Sequence, residues 1–298
     1  MMNPITLWQD NALTIARYEM TALEKNILYM VMASIRKDDP STTLYQVSAK
    51  ELMVLTGQEI KVSDMQLATK KLITRYFETT LSNGDFLQAT FVASAQYRKG
   101  LGIIDLELSQ KVRPLYVELK DRFTTLQLHT ALTLHSKYAK RLYELFSMYK
   151  NLPDKSFRIS VQELKERLDL IDPKTGKDRY EKWTHFKNAA LDPAEREINS
   201  KADLSFSYTP IKQGRSVTQI EFTVQYHAKQ QIVAYEGPNA AAFGRLTAHF
   251  GLRQDQAHKV LALHSLADIN RQLHKVQLRV LNKELENVGA YTAKLFGV

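Results

Sequence analysis

The sequence predicts an α+β fold in which one unit, built from three helices and a β-hairpin, occurs twice along 298 residues. Three observations predict this fold class. Helix-capping sequences recur at matched positions, each copy ends in β-type runs, and the length suits about two domains of ordinary size. Residues 229–298 follow the second copy, and their helical pattern predicts a C-terminal extension.

The first copy opens with a clearly marked helix. In TALEKNILYMVMASIRK, Thr21 and Glu24 form a capping box, and apolar residues recur behind them at helical spacing. A polar break leads to LYQV, a predicted short strand. Ser48 and Glu51 then repeat the capping box at the start of SAKELMVLTG. The predicted order so far is helix, strand, helix.

A third helix and a hairpin complete the first copy. The helix is expected over SDMQLATKKLITRYF, with Ser63 as its cap. The runs ETTL and FLQATFVASA are joined through Asn83-Gly84, a dipeptide typical of tight hairpins, and IIDLELS adds a further strand. These segments predict a helical core followed by a β-hairpin.

The second copy repeats this order from His135 onward. HSKYAKRLYELFSMYK predicts a helix with an aromatic face, FRI predicts a strand, and Ser160 with Glu163 predicts the next helix cap. A longer helical segment is expected over residues 178–199, and LSFSY with QIEFTVQ predicts a second hairpin. The caps at Ser48 and Ser160 lie 112 residues apart, and the opening helices align at nearly the same offset.

Three helices followed by a β-hairpin form a winged-helix domain, a variant of the helix-turn-helix. The sequence therefore predicts tandem winged-helix domains, with residues 1–125 as the first, 126–228 as the second and 229–298 as the helical extension. In such a domain the third helix enters the major groove of DNA, and the wing reaches the flanking backbone.

The charge balance favours a polyanionic partner. Lys and Arg number 41 against 32 Asp and Glu, so the formal net charge of +9 suits nucleic acid or an anionic membrane surface. Cysteine is absent, which excludes disulfides, thiolate metal sites and a cysteine nucleophile. The polar start predicts no signal peptide, and the apolar stretch Asn26–Ile35 is too short to cross a bilayer. We therefore expect a soluble cytoplasmic protein.

The recognition segment of the second domain is expected in DRYEKWTHFKNAALDPAEREINSK. Residues that recur every four positions predict its buried stripe: Phe186, Ala190, Ala194 and Ile198. Asp192-Pro193 predicts a kink or a break, because proline removes a backbone donor. Glu195 and Glu197 would repel phosphate, and we expect them to face away from DNA.

The candidate DNA-binding residues fall into four groups. Side chains that can read base edges or bind phosphate precede the proline: Arg179, Lys182, His185, Lys187 and Asn188. The second wing and the first domain offer candidates for backbone contacts: Lys212, Arg215, Gln66, Lys70, Lys71, Arg75, Arg98 and Lys99. Three cations early in the helix after His135 either contact phosphate or form a solvated face: Lys137, Lys140 and Arg141.

Two segments of the second domain resemble a known family. LHSKYAKRLYELF is similar to the sequence that opens the second domain of the iteron-binding plasmid replication initiators. FKNAALDPAEREINSKADLSFSY resembles the recognition segment of the same proteins. ALTIARYEMTALEKNILYMVMASI extends the resemblance into the first domain, so that it covers about residues 10–226.

The resemblance implies a function beyond DNA binding. Such initiators bind direct repeats, called iterons, at a plasmid origin as monomers, help to open an AT-rich segment, and recruit the host initiator and the replicative helicase. Dimers, usually joined through the first domain, often repress the initiator's own promoter, so a homodimer in equilibrium with monomer is implied. By position, Lys182, His185, Lys187 and Asn188 fall in the base-reading half of the recognition helix. The tail after residue 228 departs from the shorter members, and it serves partners, self-association or simple capping of the fold.

The motifs disfavour an enzyme. TGK at residues 175–177 lacks the upstream glycine of a phosphate-binding loop, and the His residues show neither H-E-x-x-H nor the pairing of a nicking site. Tyr138 and Tyr143 are therefore expected in the core, and no cofactor or metal site is predicted. The competing function is a winged-helix transcriptional repressor without an origin role. An inverted repeat beside the gene would favour it, whereas direct repeats next to an AT-rich stretch would favour the initiator.

Overall fold

The computed structural model describes residues 5–98, 101–117, 119, 122–150, 155–227, 242–281, 285 and 287–298 of the chain. Contacts divide the chain into two compact units. One unit comprises residues 5–53 and 59–230, and the other comprises residues 1–4, 54–58 and 231–298.

The first domain alternates short helices and strands around a central helix. Its helices are α1 (Asn11–Ile15), α2 (Ala22–Ser34), α3 (Ala49–Thr56), α4 (Val62–Thr74) and α5 (Pro114–Val117). Its strands are β1 (Thr6–Asp10), β2 (Leu44–Ser48), β3 (Tyr76–Thr80), β4 (Phe86–Thr90), β5 (Val92–Arg98) and β6 (Ile103–Leu108). Helix α2 lies at the centre of the core, because Ile27, Tyr29 and Val31 are completely buried.

Local capping determines where the helices of this domain begin. The N–H of Glu24 donates to Thr21 Oγ1 at 3.2 Å, and the N–H of Thr21 donates to the Glu24 carboxylate at 3.1 Å, which confirms the predicted capping box. The prediction of Ser63 as a cap is wrong, because α4 begins at Val62 and its N-cap is Lys61. There the N–H of Lys61 donates to Asp64 Oδ2 at 3.1 Å, and a carboxylate also suits the positive end of a helix.

The wing of the first domain is not the hairpin around Asn83-Gly84. Strands β3 and β4 do form that hairpin, but they make a separate two-stranded sheet. The wing consists of β5 and β6, which join β2 in a sheet of order β2-β6-β5. FLQATFVASA is therefore two strands, divided at Phe91, whose buried ring lies 4.9 Å from that of Phe77. Burial of this ring ends one strand and directs the chain into the next sheet.

Strand β1 connects the first domain to the start of the second. Thr6–Asp10 pair antiparallel with β7 (Phe123–Gln127), in register from Thr6 opposite Gln127 to Asp10 opposite Phe123. The predicted domain boundary after residue 125 falls inside β7. The chain therefore passes from one domain to the next through a paired strand.

The second domain repeats the sheet of the first. Its helices are α6 (Leu128–Thr133), α7 (Lys137–Met148), α8 (Val161–Arg167), α9 (Trp183–Phe186) and α10 (Asp192–Lys201). Its strands are β8 (Ser156–Ser160), β9 (Leu204–Gln213) and β10 (Ser216–Tyr226). The order β8-β10-β9 matches β2-β6-β5. In each sheet a short strand pairs with one strand of the wing, which pairs in turn with the other. This match confirms the predicted α+β class with tandem winged-helix domains.

Aromatic rings fill the core of the second domain. The ring of Phe146 on α7 lies 4.5 Å from that of Phe206 and 5.1 Å from that of Phe222. Full burial of a phenylalanine side chain contributes about 1.5–3 kcal/mol. The cluster therefore fixes the wing strands against α7, the helix that the sequence predicted to open this domain.

The C-terminal residues form a helical unit with its own core. The described part contains helices at Gln254–Leu263, Leu266–Leu281 and Val288–Phe296. Their apolar faces share one buried cluster: Leu246, Phe250, Leu252, Ala257, Val260, Ile269, Leu273, Val276 and Phe296. Gly251 and Gly289 lie in direct contact, and a Cβ on Gly289 would come within 2.7 Å of the Gly251 carbonyl oxygen. Only glycine therefore fits at position 289, where the two backbone segments meet.

Candidate nucleic-acid interface

The recognition helix of the second domain begins later than the sequence predicted. Residues 178–182 are not helical, and Lys182 is the N-cap of α9. The cause is a contact made by Lys165 on α8. Its Nζ donates to Asp178 Oδ2 and to the carbonyl oxygen of Tyr180, both at 2.6 Å, and this fixes a turn at residues 179–180 before the helix starts.

Of the predicted kink or break at Asp192-Pro193, the break does not occur, and a local change of helix type precedes the proline. Lys187–Leu191 form a π-helical turn between α9 and α10, and the N–H of Asp192 donates to the carbonyl of Lys187. Asp192 keeps helical backbone angles, with φ −61° and ψ −43°. The wider turn accommodates a proline that has no N–H to donate. The third helix therefore runs without interruption from Trp183 to Lys201.

One face of this helix is buried and the other exposes donors. The predicted stripe is completely buried: Phe186, Ala190, Ala194 and Ile198. Lys182, His185 and Asn188 recur every three positions and are all exposed. Within the described residues, none of the three forms an ion pair. Residues at this spacing are neighbours along a helix, so the three form one donor row.

Lys187 lies outside this row and stabilises the π turn. Its Nζ lies 2.6 Å from Asp192 Oδ2, and the Tyr208 hydroxyl donates to the other oxygen of that carboxylate. Burial alone would raise the pKa of Asp192, but the hydrogen bonds from Lys187 and Tyr208 outweigh it and lower the pKa. Lys187 thus connects the helix to strand β9 through an ionised carboxylate.

The wing of the second domain exposes two cations at its tip. Gln213 pairs with Ser216 at the end of the hairpin, and Gly214 lies in the turn at φ 63°. Lys212 and Arg215 flank this turn, and both are exposed without an ion pair in the described structure. Exposed cations at a wing tip suit contacts to the DNA backbone.

Helix α4 exposes a second donor row on the first domain. Gln66, Lys70 and Lys71 are all exposed, while Leu72 on the other face is buried. Leu67 lies beside the row and is 54% exposed. The sequence reading missed this residue, although its position out of phase with the buried stripe was a usable signal. Apolar side chains in such a position contact thymine methyl groups in DNA-reading helices.

Arg75, the last candidate on the α4 segment, is the C-cap of the helix and forms ion pairs with two carboxylates. Its Nε lies 3.1 Å from Oε2 of Glu24, which is completely buried, and its Nη1 lies 3.4 Å from Glu19 Oε2. Two carboxylates therefore already hold the Arg75 guanidinium.

The first wing carries Arg98 at the end of β5. Its side chain is 48% exposed, and its Nε lies 2.5 Å from the carboxylate of the buried Asp105. This ion pair fixes the base of the wing turn. Lys99, the other candidate in this turn, lies outside the described residues.

Helix α7 is buried on all sides, which overturns two predicted contacts. Every residue from Tyr138 to Ser147 is buried. Nζ of Lys140 donates to Asn26 Oδ1 at 2.5 Å and to the carbonyl oxygen of Ala131 at 2.5 Å. The predictions that Lys140 and Arg141 contact phosphate or lie on a solvated face are therefore wrong. The charged face of this helix packs against the first domain.

Arg141 belongs to a buried ion network centred on Glu144. Glu144 Oε2 lies 2.6 Å from Arg141 Nη1, and Oε1 lies 2.5 Å from Lys25 Nζ. The hydroxyls of Tyr29 and Tyr18 donate to the same carboxylate at 3.0 and 3.1 Å. Lys25 and both tyrosines come from residues 18–29, so the network fixes α7 against α2 and the segment before it in the protein interior.

Burial shifts the protonation equilibria of this network. The pKa of Lys25 falls to about 8, because burial disfavours the cation more than Glu144 favours it. Burial also lowers the pKa of Lys140, and the charge of Lys25 adds to the effect. Burial would raise the pKa of Glu144, but Lys25 and Arg141 outweigh it and lower that pKa. Glu144 therefore stays ionised in the interior.

Lys137, the first residue of α7, remains partly exposed and pairs with Glu19. Its Nζ lies 3.0 Å from Glu19 Oε1, and Arg179 Nη2 lies 3.4 Å from the same oxygen. Arg75 reaches the other oxygen, so three predicted DNA-binding residues meet at one carboxylate. The sequence reading missed Glu19, since its partners are 56 to 160 positions away along the chain.

The chain matches two family models that cover both winged-helix domains. Residues 6–147 match the model described as "Initiator Replication protein, WH1", and residues 160–224 match "Initiator Rep protein, WH2". The chain belongs to this family of replication initiators. Membership confirms the resemblance found in the sequence, and it confirms that the protein is not an enzyme, because the family consists of DNA-binding initiators.

Relatives of this initiator carry corresponding names. It is 27% identical over 242 residues to "PI protein" of Escherichia coli, covering 70% of this chain and 78% of the relative. It is 23% identical over 248 residues to "Replication initiation protein" of Escherichia coli, covering 78% of this chain and 73% of the relative. A structure described as "Crystal structure of Pi initiator protein in complex with iteron DNA" shares its fold. The TM-score is 0.65 at 23% identity, over 77% of this chain and all of the other.

Two tyrosines of α7 lie in the core rather than at a reactive site. Tyr138 and Tyr143 are core residues, as predicted, and the Tyr143 hydroxyl donates to Asp203 at 2.7 Å. No group of three or more candidate metal ligands occurs among the described residues. In the same part of the chain, no helix combines the length and apolar character needed to cross a bilayer.

Proposed function

We propose that this initiator binds double-stranded DNA at the direct repeats of a plasmid origin, with both winged-helix domains on one duplex. The observation that carries the proposal is the pair of exposed donor rows, one on the third helix of each domain: Gln66, Lys70 and Lys71, and Lys182, His185 and Asn188. The Pi initiator, whose structure contains iteron DNA, has the same fold and supports the proposal.

The two rows differ in chemistry, and the difference suggests separate roles. On the second domain, Asn188 both donates and accepts hydrogen bonds, and Lys182 and His185 add donors, which suits the varied edges of base pairs. On the first domain, Lys70 and Lys71 are point charges that suit phosphate. We therefore assign most of the sequence discrimination to the second domain and backbone affinity to the first domain and the wings.

Footprinting the full-length protein on the DNA beside its gene tests the proposal. Protection of several direct repeats next to an AT-rich stretch is the expected result. Protection of a lone inverted repeat would identify a transcriptional repressor instead. Lys182→Ala combined with Asn188→Ala should abolish the footprint. Arg158→Ala, which removes an exposed cation of β8 outside both rows, should preserve it.

The proposal extends to the initiation of replication in the cytoplasm. Family membership supports a monomer that opens the AT-rich segment and recruits the host initiator and the replicative helicase, and a dimer that represses the initiator's own promoter. Permanganate mapping of a supercoiled origin plasmid should show unpaired thymines only when the initiator is present. Analytical ultracentrifugation should show a monomer that gives way to a dimer as concentration rises. An origin that stays paired, or a single species at all concentrations, would refute the corresponding step.

A further inference from the structure

Glu19 lies on the segment between α1 and α2 and collects cations from both domains. Lys137 Nζ lies 3.0 Å and Arg179 Nη2 lies 3.4 Å from Glu19 Oε1, while Arg75 Nη1 lies 3.4 Å from Oε2. The Glu19 side chain is 31% exposed, so the cluster is in contact with solvent.

Among the described residues, two cations of this cluster depend on the Glu19 carboxylate alone. Arg75 also pairs with Glu24, but Lys137 and Arg179 have Glu19 as their carboxylate partner in the described structure. Two cations therefore share one partly exposed negative charge. The cavity of about 100 Å³ beside Glu19 and Arg75 is lined by further carboxylates and does not reach Lys137 or Arg179. An anion would reach these two cations from solvent, since their side chains are 29% and 46% exposed.

The cluster also lies where both recognition helices meet the rest of the fold. Arg75 is the C-cap of α4, and Arg179 lies just before Lys182, the N-cap of α9. Arginine and lysine donors that converge on shared oxygen positions suit a phosphate as well as a carboxylate, because both anions accept charge-assisted hydrogen bonds.

We propose that Lys137, Arg179 and Arg75 form a binding site for a backbone phosphate of double-stranded DNA, and that Glu19 competes with that phosphate. In the free protein the Glu19 carboxylate occupies the cations, and in the complex a phosphate oxygen shares Lys137 and Arg179 with it. Glu19 thereby weakens binding to DNA of every sequence and leaves discrimination to the donor rows. This inference rests on the proposed function, DNA binding by both domains.

Glu19→Gln tests the proposal, since it removes the charge and keeps the size and an acceptor oxygen. Fluorescence anisotropy should show about 3- to 10-fold tighter binding to random and repeat duplexes at 0.1 M salt, the effect of one charge near a phosphate. The slope of log K against log salt should steepen by up to about one. Asp38→Asn is the matched control, because Asp38 follows the far end of α2, about 20 Å away, and should leave affinity within about twofold.

A second comparison tests whether the tighter DNA binding of Glu19→Gln depends on Lys137 and Arg179. In a Lys137→Gln, Arg179→Gln background, Glu19→Gln should tighten binding by less than about twofold. Arg179→Gln alone, at a side chain 46% exposed, should weaken binding to random DNA. Unchanged or weaker binding of both duplexes by a folded Glu19→Gln protein would overturn the proposal. Weaker binding of repeat DNA alone would also overturn it, because Glu19 would then act by positioning the domains. Wild-type protein without salt-dependent DNA binding would refute the proposed function instead.

Discussion

Replacing Glu144 by glutamine should destabilise the initiator by about 3–5 kcal/mol, although the two side chains are nearly equal in size. The Glu144 carboxylate accepts hydrogen bonds from Lys25, Arg141, Tyr18 and Tyr29. Glutamine keeps one acceptor oxygen and places an amide NH₂ against donors. Lys25 and Arg141 then lie buried without a counter-charge, which is the costly way to break a buried ion pair.

The size of this loss depends on the burial of the ion pair, and a matched control at an exposed ion pair tests that dependence. The side chains of Lys25 and Glu144 are 3% and 0% exposed, so water does not screen the pair. The Arg167–Glu163 pair has a carboxylate that is 49% exposed, and such a pair contributes about 0–1 kcal/mol. Glu163→Gln therefore removes the same charge with little expected loss of stability.

Urea unfolding monitored by tryptophan fluorescence measures both free-energy changes. A loss of about 3–5 kcal/mol also lowers the melting temperature by roughly 6–20 °C in a protein of this size. The Glu163→Gln control should shift the free energy of unfolding by less than about 1 kcal/mol. An equally small change for Glu144→Gln would mean that water reaches the network, and would refute the reasoning.

The affinity for DNA should fall steeply with salt, with a slope of log K against log salt of about −4 or steeper, because five or more phosphate contacts release counterions; a flat anisotropy titration would contradict this. Lys182→Ala should cost about 1–3 kcal/mol mainly on repeat DNA, whereas Lys212→Ala should weaken repeat and random DNA alike. Parallel titrations of both variants with repeat and random DNA measure these losses. If Lys212→Ala lost discrimination while Lys182→Ala kept it, the residues that read the bases would lie in the wing. Gly289→Ala should increase hydrogen exchange in the C-terminal helices, since its Cβ would meet the Gly251 carbonyl at 2.7 Å, and unchanged exchange would rule out the close contact. The free energy of unfolding should rise between about pH 8 and pH 10, because Lys25 has a pKa of about 8 when folded and about 10.4 when unfolded, so the unfolded state binds more protons there. Urea titrations across this range should show a smaller rise in Lys25→Met, and an equal rise would assign the effect to another group.

Local features of the fold could be predicted from sequence, and features that depend on distant contacts could not. The caps at Thr21 and Ser160 each involve a residue three positions away, so a short window contains the whole interaction. The first wing was misplaced because the division at Phe91 depends on burial of its ring beside Phe77. The continuous third helix likewise depends on Tyr208, 16 positions from Asp192, which no helical pattern includes.

The same distinction applies to the candidate interface. Helical spacing correctly identified the buried stripe of the recognition helix, but it did not show which polar side chains face the groove. Only the folded chain shows that three of them are exposed together: Lys182, His185 and Asn188. On α7 helical spacing separated an apolar face from a charged one, but the pattern does not say whether charges meet water or another domain. Lys140 bonds Asn26, 114 positions away, and Arg141 bonds Tyr18, 123 positions away, so only the folded chain shows that both are interior.

The network around Glu144 also makes the protein sensitive to the spacing of its target. Lys25 and Tyr18 hold α7 through Glu144 and Arg141, and the rings of Phe206 and Phe222 from the second wing pack against the same helix. Under the proposed function, α7 therefore connects the parts of the protein that carry the two recognition helices. One base pair inserted between the stretches that they read would move one stretch by about 3.4 Å and rotate it by about 34° around the DNA axis. A flexible linker would absorb both changes, whereas this initiator would have to disrupt the buried contacts of α7. Under the proposed function, the length of each repeat should therefore matter for binding as much as its base sequence does.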